Sequence, residues 1–312
     1  MTNNQKLPRK KLIVVIPAYN EGITIGPTIS ALRGIQAEIK KIGFDYKIYI
    51  VNDGSSDDTA KIAQDNKADR IIVHKVNRGL GAAVRSGLMA AFKDGASIAI
   101  KFDADLQHDP DDIIELIQPI IADEADVVYG KRFGNIQYRM PFIRRAGNLV
   151  FTKIMKFLTG WPLEDSQPGI FAVNNDYLSV FYIPGDYNYT QQILLDSYHK
   201  GMRFAHVPVK FKKRESGSSF VSLKYPFIVL FQIFLVLISV KPIKIFGGIG
   251  FAFLTASTII FTVEVIQWIM GITIKPVVHV NAVLGFLLFG LQSLFFGFLA
   301  ELIVRFTKNM NK

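Results

Sequence analysis

Hydrophobic and polar residues follow two different patterns along the chain. In the first two thirds, short apolar runs alternate with segments in which apolar residues recur at helical spacing, such as Ile25, Ile29 and Leu32. From Tyr225 onward, charged residues almost vanish and the apolar runs become much longer. The pattern predicts a domain of residues 1–224 followed by a hydrophobic tail.

The first region alternates predicted strands with predicted helices. The predicted strands are residues 12–16, 46–51, 71–73, 97–102 and 125–129. The predicted helices are residues 24–42, 59–66 and 81–94, with a further one that begins after Asp109 and Pro110. Strands that alternate with helices form a mostly parallel sheet covered on both faces, which places this region in the α/β class.

The tail contains two apolar runs, 243–269 and 277–304, and each exceeds the roughly 20 residues that a helix needs to cross a bilayer. Lysine and arginine are frequent on both outer flanks, so the positive-inside rule predicts a transmembrane hairpin with both termini and the catalytic domain in the cytoplasm. The preceding segment, 225–242, is apolar but short, and we expect it to lie at the membrane interface.

Composition limits the chemistry that is possible. The 312 residues include no cysteine, which excludes disulfides and thiolate metal sites. The net charge is +10, but many basic residues flank the tail, a placement typical of an anionic membrane surface, so we expect no nucleic acid partner. The first apolar run ends after seven residues, and we expect no export signal.

Polar clusters follow the predicted strands of the first region. They are Tyr19-Asn20-Glu21, Asp53-Gly54-Ser55, Asn77 and Asp103-Ala104-Asp105. Ligands of parallel α/β sheets bind beyond the carboxyl ends of the strands. The clusters therefore predict one shared site at that edge.

The strongest cluster is the one in the sequence KFDADLQHDP. Asp103 and Asp105 stand at alternate positions, and Gln107 follows two residues later, so three hard oxygen ligands can face the same way. Such ligands suit Mg²⁺ or Mn²⁺, which are usually held by one or two carboxylates together with substrate phosphates. The chain has neither a Walker A sequence nor a dinucleotide fingerprint, so we expect a different kind of diphosphate ligand.

Several motifs of the chain resemble those of a known enzyme family. VVIPAYNE, IVNDGSSDDT, NRGLGAAVRSG and KFDADLQHDP, in this order, resemble family 2 glycosyltransferases of the GT-A fold, which is Rossmann-like. With VVYGKRF, EDSQPGIFAV, VPVKFKKRESGSS and the two-span tail, the chain resembles the polyprenyl-phosphate sugar synthases, the branch of dolichol-phosphate mannose and glucose synthases. The resemblance implies an inverting transfer of a hexose from GDP-mannose or UDP-glucose to dolichyl or undecaprenyl phosphate.

The resemblance also implies roles for particular residues. The residues that resemble the nucleotide-sugar pocket are Pro17, Tyr19, Asn20, Glu21, Asp53, Arg85, Asp103 and Ala104. The metal ligands would be Asp103, Asp105 and Gln107. The lipid-phosphate site would include Arg132, one of Arg144 and Arg145, Arg214 and Ser218, and the catalytic residues would be Asp105, Arg132 and Arg214. Asn20 and Asp53 could instead form turns, and Arg85 could pair on a helix surface.

Two positions depart from the pattern of these relatives. Asn52 stands where many relatives have a second aspartate, and Gln191 or Gln192 stands where they often have a glutamate. A hydroxyl acceptor would need such a carboxylate as its general base. A phosphate acceptor is already an anion, so the second departure fits transfer to a lipid phosphate.

Two other functions compete with this interpretation. A processive polysaccharide synthase would share the nucleotide half, but its Gln-x-x-Arg-Trp motif does not occur in the sequence. A catalytically silent membrane scaffold could retain the fold, although it would have no need for Asp103 and Asp105. The sequence leaves the donor nucleotide, the sugar and the oligomeric state open.

Overall fold

The structure is a computed structural model that describes residues 10–131, 142–183, 186, 189–212, 238 and 242–310. For 142–147 and 307–310 it describes the backbone alone. The chain divides into two compact units, Met1–Phe220 and Val221–Lys312. The predicted boundary at residue 224 and most of the predicted interfacial segment lie outside the described residues, so both remain predictions.

A seven-stranded sheet forms the centre of the first unit. Its strands are β1 (Lys10–Ala18), β2 (Phe44–Asn52), β3 (Arg70–Val73), β4 (Ala96–Lys101), β5 (Val127–Lys131), β6 (Phe171–Asn174) and β7 (Phe204–Pro208). They lie in the order β3-β2-β1-β4-β6-β5-β7. Among these strands only β6 runs antiparallel to its neighbours, β4 and β5, so the mostly parallel sheet that the sequence predicts is confirmed.

Helices connect the strands. They are α1 (Gly22–Gly34), α2 (Gln36–Lys41), α3 (Thr59–Asp65), α4 (Leu80–Lys93), α5 (Asp112–Ile121), α6 (Phe142–Thr159), α7 (Asn175–Val180) and α8 (Tyr189–His199). The single helix predicted over 24–42 is wrong, because α1 ends at Gly34 and α2 begins two residues later. The helical spacing of apolar residues continues through Ile35 and Ile39, so the break was not visible in the pattern, but Gly34 is a poor helix former and ends α1.

The core lies on both faces of the sheet. Residues 12–16 of β1 are completely buried, although they occupy alternate faces of the strand. A parallel strand covered on both sides has this continuous apolar sequence, which explains why its pattern was easy to identify. Burial of the strand from both sides fixes its carboxyl end, where the polar turns begin.

Two long helices, α9 (Pro242–Ile269) and α10 (Val280–Met310), make up the described part of the second unit apart from their connection and residue 238. Both are long and apolar enough to cross a membrane, as predicted. They pack closely where two glycines meet, because a Cβ added at Gly250 would lie 2.8 Å from the Gly290 carbonyl oxygen. Small residues allow helix backbones to approach in this way within membranes.

The turn of the hairpin is held by the acidic residue that interrupts the first apolar run. Glu264 is 6% exposed, and its carboxylate accepts hydrogen bonds from the N–H groups of Val278 (2.9 Å) and His279 (3.2 Å). The His279 ring nitrogen Nδ1 lies 2.6 Å from the same carboxylate. Glu264 therefore satisfies backbone donors at the start of α10, which a helix end otherwise leaves without partners.

Candidate active site

Polar turns lie side by side at the carboxyl edge of the sheet because their strands are neighbours. β1 pairs in parallel with both β2 and β4, with Ala18 opposite Asn52 and Val15 opposite Lys101. Chains that follow parallel strands leave the sheet at the same edge. The structure thus brings together the clusters that begin at Tyr19, Asp53 and Asp103, as the sequence predicts.

Hydrogen bonds join the turn after β1 to the turn after β2. The Asn20 N–H donates to Ser55 Oγ (3.0 Å), and Asn20 Oδ1 accepts from the Ser56 N–H (2.9 Å). The Glu21 N–H donates to Thr59 Oγ1 (2.9 Å). Asn20 has a φ of 54°, a left-handed conformation that asparagine tolerates better than most residues. Asn20 therefore shapes the turn, and nucleotide contacts by Asn20 and Glu21 stay predictions.

Other predicted pocket residues differ in what they can offer a ligand. Pro17 is buried within β1, and Ala104 is 4% exposed with its carbonyl oxygen accepting a bond from Thr28 Oγ1 (3.1 Å). Tyr19 is 42% exposed at the start of its turn. Tyr19 is thus the side chain among these three that a nucleotide can reach, whereas Pro17 and Ala104 form part of the wall.

The Asp53 carboxylate faces inward. It is 3% exposed, with Oδ1 at 2.6 Å from His74 Nδ1 and 3.0 Å from the Arg78 N–H, and Oδ2 accepts from the Gly79 N–H (2.8 Å). His74 Nε2 in turn lies 2.9 Å from Ser86 Oγ on α4. These bonds fix the loop between β3 and α4. The predicted contact of Asp53 with a base stays a prediction, but the carboxylate has a positioning task in the structure.

The Asp103 carboxylate is more accessible. Its side chain is 27% exposed, and Oδ1 accepts a 2.5 Å hydrogen bond from the Lys101 ammonium group. Two residues further, Asp105 Oδ1 accepts from the Gln107 N–H (3.2 Å). Leu106 between them has a φ of 61°, which is unfavourable for a bulky side chain. The loop is therefore held in a strained turn, and such strain is concentrated at functional sites.

Lys101 is a deeply buried charged group at this edge. It is 1% exposed, and its Nζ also donates to the Gly169 carbonyl (2.7 Å) and lies 5.8 Å from the centre of the Tyr189 ring. Burial pulls the pKa of Lys101 down, but Asp103 and Tyr189 more than offset burial, so this pKa lies above its ordinary value. The lysine is therefore positively charged beside Asp103.

Gln107 connects the loop after β4 to the segment that follows β7. Its Nε2 donates to the Lys212 carbonyl oxygen (3.1 Å), and its own carbonyl oxygen accepts from the Lys212 N–H (2.8 Å). The rings of His108 and Phe211 pack beside these bonds, with centroids 5.1 Å apart. Because Gln107 uses its amide nitrogen for Lys212, its amide oxygen can still serve as a metal ligand.

A second contact joins the same two segments. Asp112 at the start of α5 accepts a hydrogen bond from the Lys210 N–H through Oδ2 (2.7 Å). Burial raises the pKa of Asp112 to about 6, with the neighbouring Asp109 adding to the effect. The backbone from Lys210 to Lys212 is thus held on the loop between β4 and α5 (residues 102–111, the acidic loop) and on the start of α5. The residues that follow, which include Arg214, lie outside the described part of the chain.

Arg85 on α4 is engaged within the protein. Its guanidinium donates to the Ile183 carbonyl oxygen (2.7 Å) and to Asp186 Oδ1 (2.7 Å). Its side chain is 24% exposed. This arrangement matches the alternative that Arg85 pairs with its neighbours, and binding of a donor diphosphate by Arg85 stays a prediction.

The predicted lipid-phosphate residues fall where the structure describes no side chains. Arg132, Arg214 and Ser218 lie outside the described residues, and Arg144 and Arg145 belong to α6 in the stretch where the backbone alone is described. Their roles therefore stay predictions.

Gln191 and Gln192, one of which stands where relatives are expected to have a glutamate, both lie at the start of α8. Gln191 is 3% exposed, and its Oε1 accepts from Thr190 Oγ1 (3.1 Å). Gln192 is partly exposed, so the two candidate positions differ in burial, and which of them departs from the relatives stays open.

The acidic loop fits a divalent cation that a substrate helps to hold. Among the described residues, no three His, Asp or Glu side chains lie close enough to hold a metal ion by themselves. Mg²⁺ and Mn²⁺ do not need three, since they retain waters and bind one or two carboxylates together with substrate phosphates. Asp103 and Asp105, with the amide oxygen of Gln107, supply a suitable partial set.

Sequence reasoning missed two residues that organise the site. Lys101 could have been noticed, because a lysine that ends a strand as apolar as residues 97–102 is unusual. His74 gave no signal, since nothing in the sequence relates it to Asp53. Both act on carboxylates that the sequence did identify.

Comparison with known proteins adds independent information. The sequence profile described as glycosyl transferase family 2 matches residues 13–181. The UDP-N-acetylglucosamine–dolichyl-phosphate N-acetylglucosaminyltransferase of Methanococcus voltae is 32% identical over 55% of this chain and 72% of its own length. An undecaprenyl-phosphate 4-deoxy-4-formamido-L-arabinose transferase of Klebsiella pneumoniae is 28% identical over 96% of this chain and 89% of its own length.

A solved structure supports the fold. Glucosyl-3-phosphoglycerate synthase from Mycobacterium tuberculosis, crystallised with Mn²⁺, uridine diphosphate and phosphoglyceric acid, superimposes with a TM-score of 0.57. The two are 22% identical, and the match covers 74% of this chain and 78% of that protein. Similarity at this level establishes a shared fold and nothing finer.

Proposed function

The chain belongs to glycosyltransferase family 2, and from this premise we propose that it transfers a sugar from a nucleotide sugar to a polyprenyl phosphate at a membrane. The two relatives named above act, by their names, on dolichyl phosphate and undecaprenyl phosphate. Helices α9 and α10 are long and apolar enough to tether the enzyme to the bilayer that holds such a lipid. We further propose that both termini and the catalytic unit lie in the cytoplasm, as the basic flanks indicate.

The observation that carries this proposal is the acidic loop after β4. Asp103 and Asp105 follow a strand buried between two neighbours, and the joined turns after β1 and β2 lie next to them at the same edge. We place the nucleotide along these turns, within reach of the exposed Tyr19. The donor diphosphate would then lie near the two carboxylates. A transfer assay with GDP-linked and UDP-linked sugars distinguishes the two possible nucleotides.

Asp103, Asp105 and Gln107 would hold Mg²⁺ or Mn²⁺ beside the diphosphate. A bound divalent ion would offset the negative charge that develops on the departing diphosphate, which is the contribution of a Lewis acid. The chain's own part is to hold the two carboxylates in a fixed, strained turn before any ligand arrives, since Leu106 keeps a positive φ. A preorganised site needs no rearrangement during the reaction.

The acceptor requires positioning more than activation. A lipid phosphate is anionic near neutral pH, so it can attack the anomeric carbon while the bond from that carbon to the diphosphate oxygen breaks. Attack from the face opposite the leaving group inverts the anomeric centre. We propose that Arg132, Arg144 or Arg145, Arg214 and Ser218 gather the phosphate, a task that suits the planar fork of arginine.

The test is a transfer assay with the full chain in membranes. Radiolabelled GDP-mannose, UDP-glucose and UDP-N-acetylglucosamine are offered separately with dolichyl or undecaprenyl phosphate, and lipid-linked label is extracted into organic solvent. We expect one donor to give a monoglycosyl lipid in the presence of Mg²⁺ or Mn²⁺. The Asp105→Ala variant should give none, whereas Asp65→Ala, an exposed acid on α3, should retain activity.

Two results would contradict the proposal. An insoluble polymer instead of a lipid-linked product would indicate a polysaccharide synthase. Full activity of Asp105→Ala, or full activity after removal of divalent cations, would contradict the assignment of the acidic loop.

A further inference from the structure

Lys101 places a charge at the buried end of β4, where an apolar side chain is usual. Its ammonium group is 1% exposed and bonded to Asp103 Oδ1 at 2.5 Å and to the Gly169 carbonyl at 2.7 Å. Removing a charge from water costs several kcal/mol, and the cost is only partly recovered by one partner. A lysine retained at this position therefore points to a role other than packing.

The contacts of Lys101 hold Asp103 from one side. A Cβ added at Gly169 would lie 2.8 Å from Asp103 Oδ2, so the chain at Gly169 forms a close wall on the other oxygen. Asp103 thus lies between an ammonium group and a backbone segment, with 27% of its side chain exposed. The carboxylate has a fixed orientation, and one of its oxygens is already bound to a positive charge.

The charge of Lys101 changes what the loop offers a cation. Asp103 and Asp105 together carry two negative charges, and the buried ammonium offsets one of them. A divalent cation at the loop would also be repelled by Lys101, and a charge buried in the protein is poorly screened by salt. A nucleotide diphosphate restores the missing negative charge when it binds.

We propose that Lys101 is a built-in counter-ion of Asp103 that weakens the binding of a free divalent cation, so that metal binding depends on the nucleotide diphosphate. This inference rests on the proposed function, since it takes the acidic loop as the metal site. It makes Lys101 a positioning residue: it acts on a proposed ligand and touches neither substrate nor metal. Its consequence is that the metal can arrive and leave with the nucleotide.

The test measures Mn²⁺ binding to the full chain in detergent by electron paramagnetic resonance, without and with UDP or GDP. Lys101→Met removes the charge, and Lys101→Gln removes it while keeping a hydrogen-bond donor for Asp103, which protects the test if the first variant does not fold. We expect both to bind free Mn²⁺ about tenfold more tightly than the wild type, given the repulsion between the two cations even at high effective dielectric constant. The increase in Mn²⁺ affinity on adding UDP or GDP should be smaller in both variants than in the wild type.

Lys47→Met is the matched control. Lys47 Nζ lies 3.4 Å from Asp69 Oδ1, and this pair is not part of the acidic loop, so the Mn²⁺ affinity of the variant should equal that of the wild type. A residue that merely supports the fold would weaken metal binding when replaced. Free Mn²⁺ affinity that stays the same or falls in the folded Lys101 variants would therefore overturn the inference. Asp105→Asn reports separately on the proposed function: unchanged Mn²⁺ binding in that variant would show that the metal site itself is misplaced.

Discussion

The loops after β2 and β4 start from the same kind of sequence but use their aspartates differently. Each follows a buried strand at the carboxyl edge of the sheet. The Asp53 side chain is 4% exposed and bonded to His74 and backbone N–H groups, whereas the Asp103 side chain is 27% exposed and bonded to Lys101. The difference lies in what surrounds each strand end.

Asp53 organises the chain around it, whereas Asp103 keeps exposed surface that a ligand could use. Asp53 holds the loop from His74 to Gly79 in place through bonds that leave it little exposed surface. The loop after β4 takes a left-handed turn at Leu106, and Asp105 follows the part of the chain that is fixed by Lys101. We therefore expect substitutions in the first loop to affect stability and those in the second to affect catalysis.

The largest expected effect is that of Asp105→Asn. The substitution keeps the shape of the side chain but removes its charge, so kcat for transfer to lipid phosphate should fall by at least about a thousandfold, as loss of charge stabilisation in the transition state implies. The midpoint of thermal unfolding should stay near that of the wild type. Retention of more than a tenth of the activity would contradict the distinction between the two loops.

Asp53→Asn should lower the stability of the protein much more than Asp105→Asn does. An amide cannot accept from His74 and from two backbone N–H groups without one donor facing another, so unfolding should become easier by about 3 kcal/mol. Denaturant titration measures this change. Ser86→Ala loses only the outer end of the same chain of bonds and should cost about 1 kcal/mol. Equal stabilities of wild type and Asp53→Asn would show that the buried contacts of Asp53 do not stabilise the fold.

Gln107→Glu separates the two bonds that this residue can make. A carboxylate can still bind a cation, but it has no N–H to donate to the Lys212 carbonyl. Mn²⁺ affinity should hold or increase, while KM for polyprenyl phosphate should rise about fivefold, because the segment leading to Arg214 is less firmly held. Gln118→Glu on the exposed face of α5 is the control. An unchanged KM would show that the acidic loop does not influence binding of the acceptor.

The smallest effect concerns Asp112 and pH. Burial raises the pKa of Asp112 from 3.8 to about 6, so its charged form is disfavoured in the folded protein. This cost is absent below the unfolded pKa and complete above the folded one, so the wild type should lose stability relative to Asp112→Asn as the pH rises from about 4 to about 7. The hydrogen bond from the Lys210 N–H still stabilises the buried charge, so we expect a difference of about 1 kcal/mol, measured by thermal unfolding of both proteins at each pH. A difference that stays constant with pH would refute this.

Sequence patterns predicted the part of the fold from β1 to β5 because its strands are strongly apolar and its connections helical. The run that became β1 and the acidic cluster after β4 both lie where the sequence places them. β6 and β7 were missed because they have only four and five residues, too few for the alternation of apolar and polar positions to be distinctive. The reversal of β6 also depends on pairing with β4, which no local pattern encodes.

The sequence identified the acidic residues of the candidate site. It did not identify the residues that give Asp53 and Asp103 different surroundings. Lys101 contacts Gly169, which lies 68 residues further along the chain, and Asp53 meets His74 across 21 residues. Contacts of this kind arise from the order of strands in the sheet. Spacing along the sequence therefore showed that both acids belong to one edge, but only the fold shows which one is buried.

The most direct test of the central claim is the position of Mn²⁺ in an experimental structure of the full chain with UDP or GDP, located by anomalous scattering. The account predicts a single strong peak within coordination distance of the Asp105 carboxylate, with the nucleotide diphosphate on its other side and Asp53 still bonded to His74. A peak at Asp53, or none at the loop after β4 while nucleotide is bound, would contradict it.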